Sequence, residues 1–348
     1  MALHRHQSSL ERVLDFSAPF SLNSQQRQRA TTLLRSLVQL YGVEQTIRRR
    51  FKPASLIQLT FEHIKAQDAF LSFYFSFLYE NLCPGVTDST EPDITVALSF
   101  FDDFSTWDQN QKEDVNRASE KFAEYIVENF LLPLSRKFDK SEASRRLEQD
   151  GDDFKDDDGN PLKNKRNDEF GYLQVAHILP HCLTAVASQN TELSDSKKNV
   201  LRILDMFDPG IIHLIDGPKI DSPLNALTLT YDHHREFGEF KIYFEPTSTQ
   251  YQYRIDSTEQ NPSLRDPLFP VTRTLLLSPS RTIDPPSAQL LGVHRAIAKI
   301  MNLSGAGEYI EEVLRDLEEI NVRADGSTNL GRVINLRLGG WLNSLTVS

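Results

Sequence analysis

Imidazole is the side chain whose charge changes nearest neutral pH, so a sequence that gathers histidines gathers groups able to move protons or to bind a divalent metal. Five of the nine histidines in this chain, His177, His181, His213, His233 and His234, fall between residues 177 and 234. Clustering alone is weak, but it comes with a pattern. A strand-like run ends in Ala176-His177-Ile178-Leu179-Pro180, Asn225-Ala-Leu-Thr-Leu follows after a long connection, and His234 lies nine residues beyond that Asn. Each residue has a bland alternative: His177 as a hydrogen-bonded core histidine, Asn225 as a turn residue opening a strand, His234 as a helix cap. Pro180 breaks any helical pairing of His177 with His181, and His233 adjoins His234 on a different helix face, so His181, His213 and His233 read as structural.

The elements that must position these residues follow from periodicity. GYLQVAHIL (171 to 179), NALTL (225 to 229), EFKIYFEP (239 to 246) and YQYRI (251 to 255) read as strands, the last two as a hairpin across Thr247 to Gln250. Upstream, Ser24 to about Phe51 reads as an amphipathic helix ended by Pro53, and Ser55 to Leu82 as a second helical region. Its segment 69 to 79, AFLSFYFSFLY, is apolar on every side and suits a helix buried in a bundle or, less readily, an aromatic ligand cavity. Helical patterns recur at 93 to 107 and 110 to 132, the latter broken by Pro133. Six prolines between 262 and 286 mark an extended crossing, and Ala288 to Met301 and Gly307 to Ile320 read as paired helices.

Charge limits the partners. The net charge is -11, whereas a protein that grips nucleic acid gains affinity by neutralising phosphates with Lys and Arg. Arg48-Arg49-Arg50-Phe51-Lys52 is the best candidate to contact it. Asp150, Asp152, Asp153, Asp156, Asp157 and Asp158 crowd into an exposed loop or boundary, and its DDDGN fragment lacks the twelfth-position Glu of a calcium loop. Two cysteines, Cys83 and Cys182, have no paired spacing and suit a reducing compartment. With no apolar run of about eighteen residues and no secretory start, the chain is expected to be intracellular, cytoplasmic or nuclear.

The ordered residues Ala176-His177-Ile178 with Pro180, then Asn225, Leu229, His234 and Phe237, resemble the core of the HNH nuclease family, notably the HNH-domain proteins of filamentous fungi. The resemblance runs over roughly residues 140 to 341 and includes the helical tail PSAQLLGVHRAIAKIMNLSGAGEYIEEVLRDLEE. It implies an α+β fold with a central ββα-metal core between about Leu173 and Phe244, a β-hairpin extension, a helical N-terminal region and a C-terminal helical pair. The corresponding divisions are residues 1–138, 139–256 and 257–348.

The same resemblance implies roles. His177 would be the base that activates water, Asn225 would fix the intervening loop and orient that base, and His234 would bind a divalent ion, Mg or Zn, with Asp232 or water completing its shell. The chain departs from the family pattern at Ala176, where many members carry a second metal-binding Asp or His, and in lacking a cysteine ahead of the first strand. Three functions therefore stay open. One is a metal-dependent endonuclease or phosphodiesterase acting on nucleic acid, which the acidic charge disfavours. Another is a cofactor-free scaffold turned to an apolar small molecule of secondary metabolism, as a cyclase or pericyclase. The last is a non-catalytic interaction protein.

Overall fold

The computed structural model describes residues 21–44, 51–83, 94–135, 173–184 and 194–318, apart from 262, 264, 278, 279 and 281. The Arg48 to Arg50 run, the aspartates at 150 to 158 and the N-terminal part of the 139–256 division lie outside the described residues.

The first half is helical: α1 (Ser24–Glu44), α2 (Pro53–His63), α3 (Gln67–Leu82), α4 (Ile94–Ser99), α5 (Gln109–Ile126) and α6 (Leu132–Leu134). The all-round apolar segment forms α3, which buries Phe70, Leu71, Tyr74, Phe75 and Leu78. Phe122 of α5 meets the rings of Phe70 and Tyr74 edge-on at 5.9 and 5.0 Å, and Phe101 meets Phe75 at 5.5 Å, so the aromatic run is packing. Asp108 and Gln111 form a reciprocal capping box at the start of α5.

One helical expectation is refined here and two, the break at Pro133 and the helix from 93 to 107, are corrected. The region from Ser55 to Leu82 is two helices, because the N–H groups of Lys65 and Ala66 donate to Phe207 O and Met206 O at 3.2 and 3.0 Å instead of continuing the helix. Pro133 does not break the chain's helical course. A π-helical turn over Val127–Leu131 precedes it, with Leu132 N–H reaching Val127 O, and the helix runs on to Leu134. The expected helix from 93 to 107 is likewise shorter, ending at Ser99 before a 3-10 turn at Phe104–Thr106.

The second half is mixed. Strand β1 (Leu173–His177) pairs antiparallel with β2 (Ala226–Thr230), Leu173 opposite Thr230 and His177 opposite Ala226. Helix α8 (Tyr231–Gly238) follows β2 without a break and packs on β1. A second antiparallel sheet has the order β3 (Ile242–Pro246), β4 (Gln252–Ser257), β5 (Val271–Thr274). The hairpin between its first two strands was expected, whereas β5 lies in what the sequence presented as an extended crossing. The connection between His177 and Asn225 holds helix α7 (Asp195–Phe207) and several 3-10 turns, not a plain loop. Its Val200, Leu201, Ile203, Leu204 and Phe207 are buried at helical spacing.

Helices α9 (Ala288–Ser304) and α10 (Ala306–Glu318) close the described chain, joined at Gly305, whose φ of 75° is the left-handed helix stop that glycine takes without strain. Helix α9 packs on both α2 and β3, so the N-terminal helices and the sheets share one hydrophobic core. The architecture is thus α+β: helices first, small sheets in the middle, helices last. Among the described residues no helix is long and apolar enough to cross a membrane.

Candidate active site

The ribbon of β1 and β2 has two unlike faces. Alternation along β1 sends Gln174 and Ala176 one way and Leu173, Val175 and His177 the other. Ala176 is fully buried, while Leu173 and Val175 are 61% and 57% exposed. The buried face meets α8, where Gln174 Oε1 accepts a 2.7 Å hydrogen bond from His234 Nδ1–H. That bond fixes the imidazole tautomer and leaves Nε2 as the nitrogen with the lone pair. His177 therefore leaves the strand on the face opposite His234.

Asn225 sits in the last turn before β2 and is fully buried. Its Nδ2 donates to Leu179 O at 3.0 Å and to Ile220 O at 2.8 Å, and its Oδ1 accepts from Leu179 N at 2.9 Å. One amide side chain thus holds both backbone groups of Leu179, two residues past His177, and ties them to the connection returning from α7. Ile178 N–H donates to Asn225 O at 2.9 Å, extending the ribbon by one rung.

Beyond this pin the chain turns at Pro180 into a short 3-10 segment, His181–Leu183. His181 was read as structural because Pro180 forbids a helix, and no helix joins it to His177. A carboxylate joins them instead. His177 Nε2 lies 3.2 Å from Asp221 Oδ1 and His181 Nε2 lies 3.5 Å from Oδ2 of the same group, with ring centroids 6.1 Å apart. The two imidazoles are 12% and 15% exposed, the carboxylate 48%. His177 Nδ1 is buried, so exchange with a ligand takes place at Nε2.

The other histidines stand apart. His233 Nδ1 bonds Thr230 Oγ1 at 3.0 Å and its Nε2 lies 3.5 Å from Asp266, whereas His213 is exposed on a 3-10 turn. Asp232 is exposed and two residues from His234 on α8, a spacing that places them on different helix faces. Asp221 and Gln174 escaped sequence reasoning. Gln174 carried a readable signal, three residues before His177 on the opposite strand face; Asp221 is 44 residues from His177 and carried none.

His294 of α9 supports α8 from behind. Its ring stacks on Phe237 at 3.9 Å and on Phe240 at 4.6 Å, and Nε2–H donates to Phe237 O at 2.9 Å. Burial disfavours the charged ring and drops its pKa to about 3, so it is a neutral core imidazole at physiological pH.

Residues 151–245 match a family model described as HNH endonuclease. No curated protein and no solved structure matches the chain. An HNH endonuclease domain therefore occupies this segment, and the ribbon, the Asn225 pin and α8 all fall within it. The family implies a divalent ion. His234 with its Nδ1–H held by Gln174 has the chemistry of a metal ligand. Among the described residues nothing completes the set: Asp232 lies on another helix face, Ala176 offers only a methyl group, and no three His, Cys, Asp or Glu side chains are grouped to hold an ion. The described residues do not fit a resident metal.

Proposed function

We propose that this domain cleaves phosphodiester bonds, with His177 as the general base. The observation that supports this reading most directly is an imidazole at the end of β1 whose Nε2 lies 3.2 Å from the half-exposed Asp221 carboxylate, within the HNH segment. When the Asp221 carboxylate moves off, the ring gives the Nε2 proton to solvent and takes its Nδ1–H tautomer. Nε2 then accepts the proton of a water, the resulting hydroxide attacks phosphorus, and the released alkoxide takes a proton from solvent. Asn225 serves as a positioning residue, since the backbone it holds starts two residues beyond the base. His234 orients α8 against β1 through Gln174 and is given no further step. Nucleic acid is the substrate class that the family suggests, and the charge of -11 favours short or single-stranded chains over long duplexes.

A second reading draws on the ribbon face that carries His177. Leu173 and Val175 are exposed there, which favours an apolar small molecule over a polyanion. One experiment separates the two. Purified protein is incubated with plasmid DNA and with RNA, with magnesium, with manganese and with chelator, beside His177→Ala. Cleavage that falls about 10²-fold or more in the variant supports the phosphodiesterase. Cleavage of neither polymer under any condition overturns it and leaves the second reading.

A further inference from the structure

We infer that His177 and His181 form a two-imidazole clamp for a phosphate group, and that the Asp221 carboxylate holds its place until substrate arrives. The inference rests on the phosphodiesterase reading and adds His181 to its substrate contacts. Three observations carry it. The two Nε2 atoms converge on the two oxygens of a single planar anion, 3.2 and 3.5 Å away, an arrangement that a pair of phosphate oxygens reproduces.

The frame around the rings is fixed. Between the two histidines, Leu179 is held at both N and O by the buried Asn225, and Leu183 N–H closes the following turn on Pro180 O at 3.1 Å. The rings are also mostly covered. The carboxylate, by contrast, is 48% exposed and ends the 3-10 turn Gly217–Asp221, so rotation of one side chain toward solvent opens the clamp without moving the backbone.

Because His177 Nδ1 is buried, Nε2 is the nitrogen that either anion must meet. Departure of Asp221 therefore does two things at once. It vacates the anion position, and it uncovers His177 Nε2, which meets a phosphate oxygen when free phosphate binds and meets the attacking water when a phosphodiester is held by His181. His181 then donates its Nε2–H to a non-bridging phosphate oxygen and fixes the phosphorus beside His177. Asp221 is in this account a competitor of the substrate, the reverse of a carboxylate that orients a catalytic histidine.

The two roles predict opposite signs. Binding of inorganic phosphate is measured by calorimetry on wild type, Asp221→Ala, Asp221→Asn and the double variant Asp221→Ala/His181→Gln. The clamp predicts a gain of roughly tenfold in phosphate affinity for Asp221→Ala, the scale of one charge-assisted hydrogen bond. It predicts a smaller gain for Asp221→Asn, which keeps the shape but not the charge, and loss of the gain in the double variant. Affinity that is unchanged or lower in both single variants overturns the clamp, and so does a gain that survives without His181. Failure here is distinguishable from failure of the activity: cleavage that depends on His177 with no phosphate gain in Asp221→Ala removes only the clamp. A phosphate gain in a protein that cleaves no phosphodiester removes only the phosphodiesterase.

Discussion

Replacing Asn225 with Ala strikes the joint on which the site geometry depends. The side chain is fully buried and makes three hydrogen bonds, to Leu179 N at 2.9 Å, Leu179 O at 3.0 Å and Ile220 O at 2.8 Å. Ala leaves three backbone groups without partners, each orphaned group costing about 1–3 kcal/mol. Relaxation and non-additivity bring the sum to about 3–5 kcal/mol, a large part of a typical stability of about 5–15 kcal/mol. With a urea m-value of about 3 kcal/mol/M, the unfolding midpoint falls by about 1–1.7 M. Asn225→Asp keeps an acceptor for Leu179 N but turns a carboxylate toward two carbonyl oxygens, so its loss equals or exceeds that of Ala. Urea titrations followed by circular dichroism measure both. A midpoint shift under about 0.3 M for either variant would refute the pin.

Other perturbations read other parts of the molecule. His294 has its pKa lowered to about 3 in the fold against 6.5 when unfolded. The unfolded chain thus binds the extra proton between those values, so stability is full above pH 6.5 and declines as pH falls toward 3. The slope approaches about 1.4 kcal/mol per pH unit, and His294→Gln should remove that component from a pH series of denaturation curves. Gln174→Leu deletes the acceptor of His234 Nδ1–H, so nitrogen-15 spectra of His234 should show one tautomer in wild type and a mixture in the variant. In the helical half, Tyr74→Phe removes a buried 2.9 Å hydrogen bond to Ser119, which should cost about 1 kcal/mol in thermal unfolding.

The ribbon and its helix were legible because their signals are local. Alternation around Val175, the run from Asn225 to Leu229 and the nine-residue step to His234 each sit within one element or across one junction. The same local character made α3 readable from its all-round apolar run and β3 with β4 from their short turn. What escaped was decided by distant partners. The break between α2 and α3 is made by carbonyls at the end of α7, 142 residues from Lys65 in the case of Phe207. Asp221 meets His177 across 44 residues, and the spacing of His181 was rightly judged not helical although a carboxylate unites the pair without a helix. Pro133 misled because the π turn that admits it leaves no mark in the composition.

The central claim is that phosphodiester chemistry takes place at the end of β1. Single-turnover cleavage of a short labelled nucleic acid, comparing His177→Ala with His213→Ala, tests it most directly, because both remove an imidazole from the same stretch of chain and only His177 stands on the ribbon. The account predicts that His177→Ala loses about 10²-fold or more in rate while His213→Ala matches wild type. Equal rates in the two variants would contradict it.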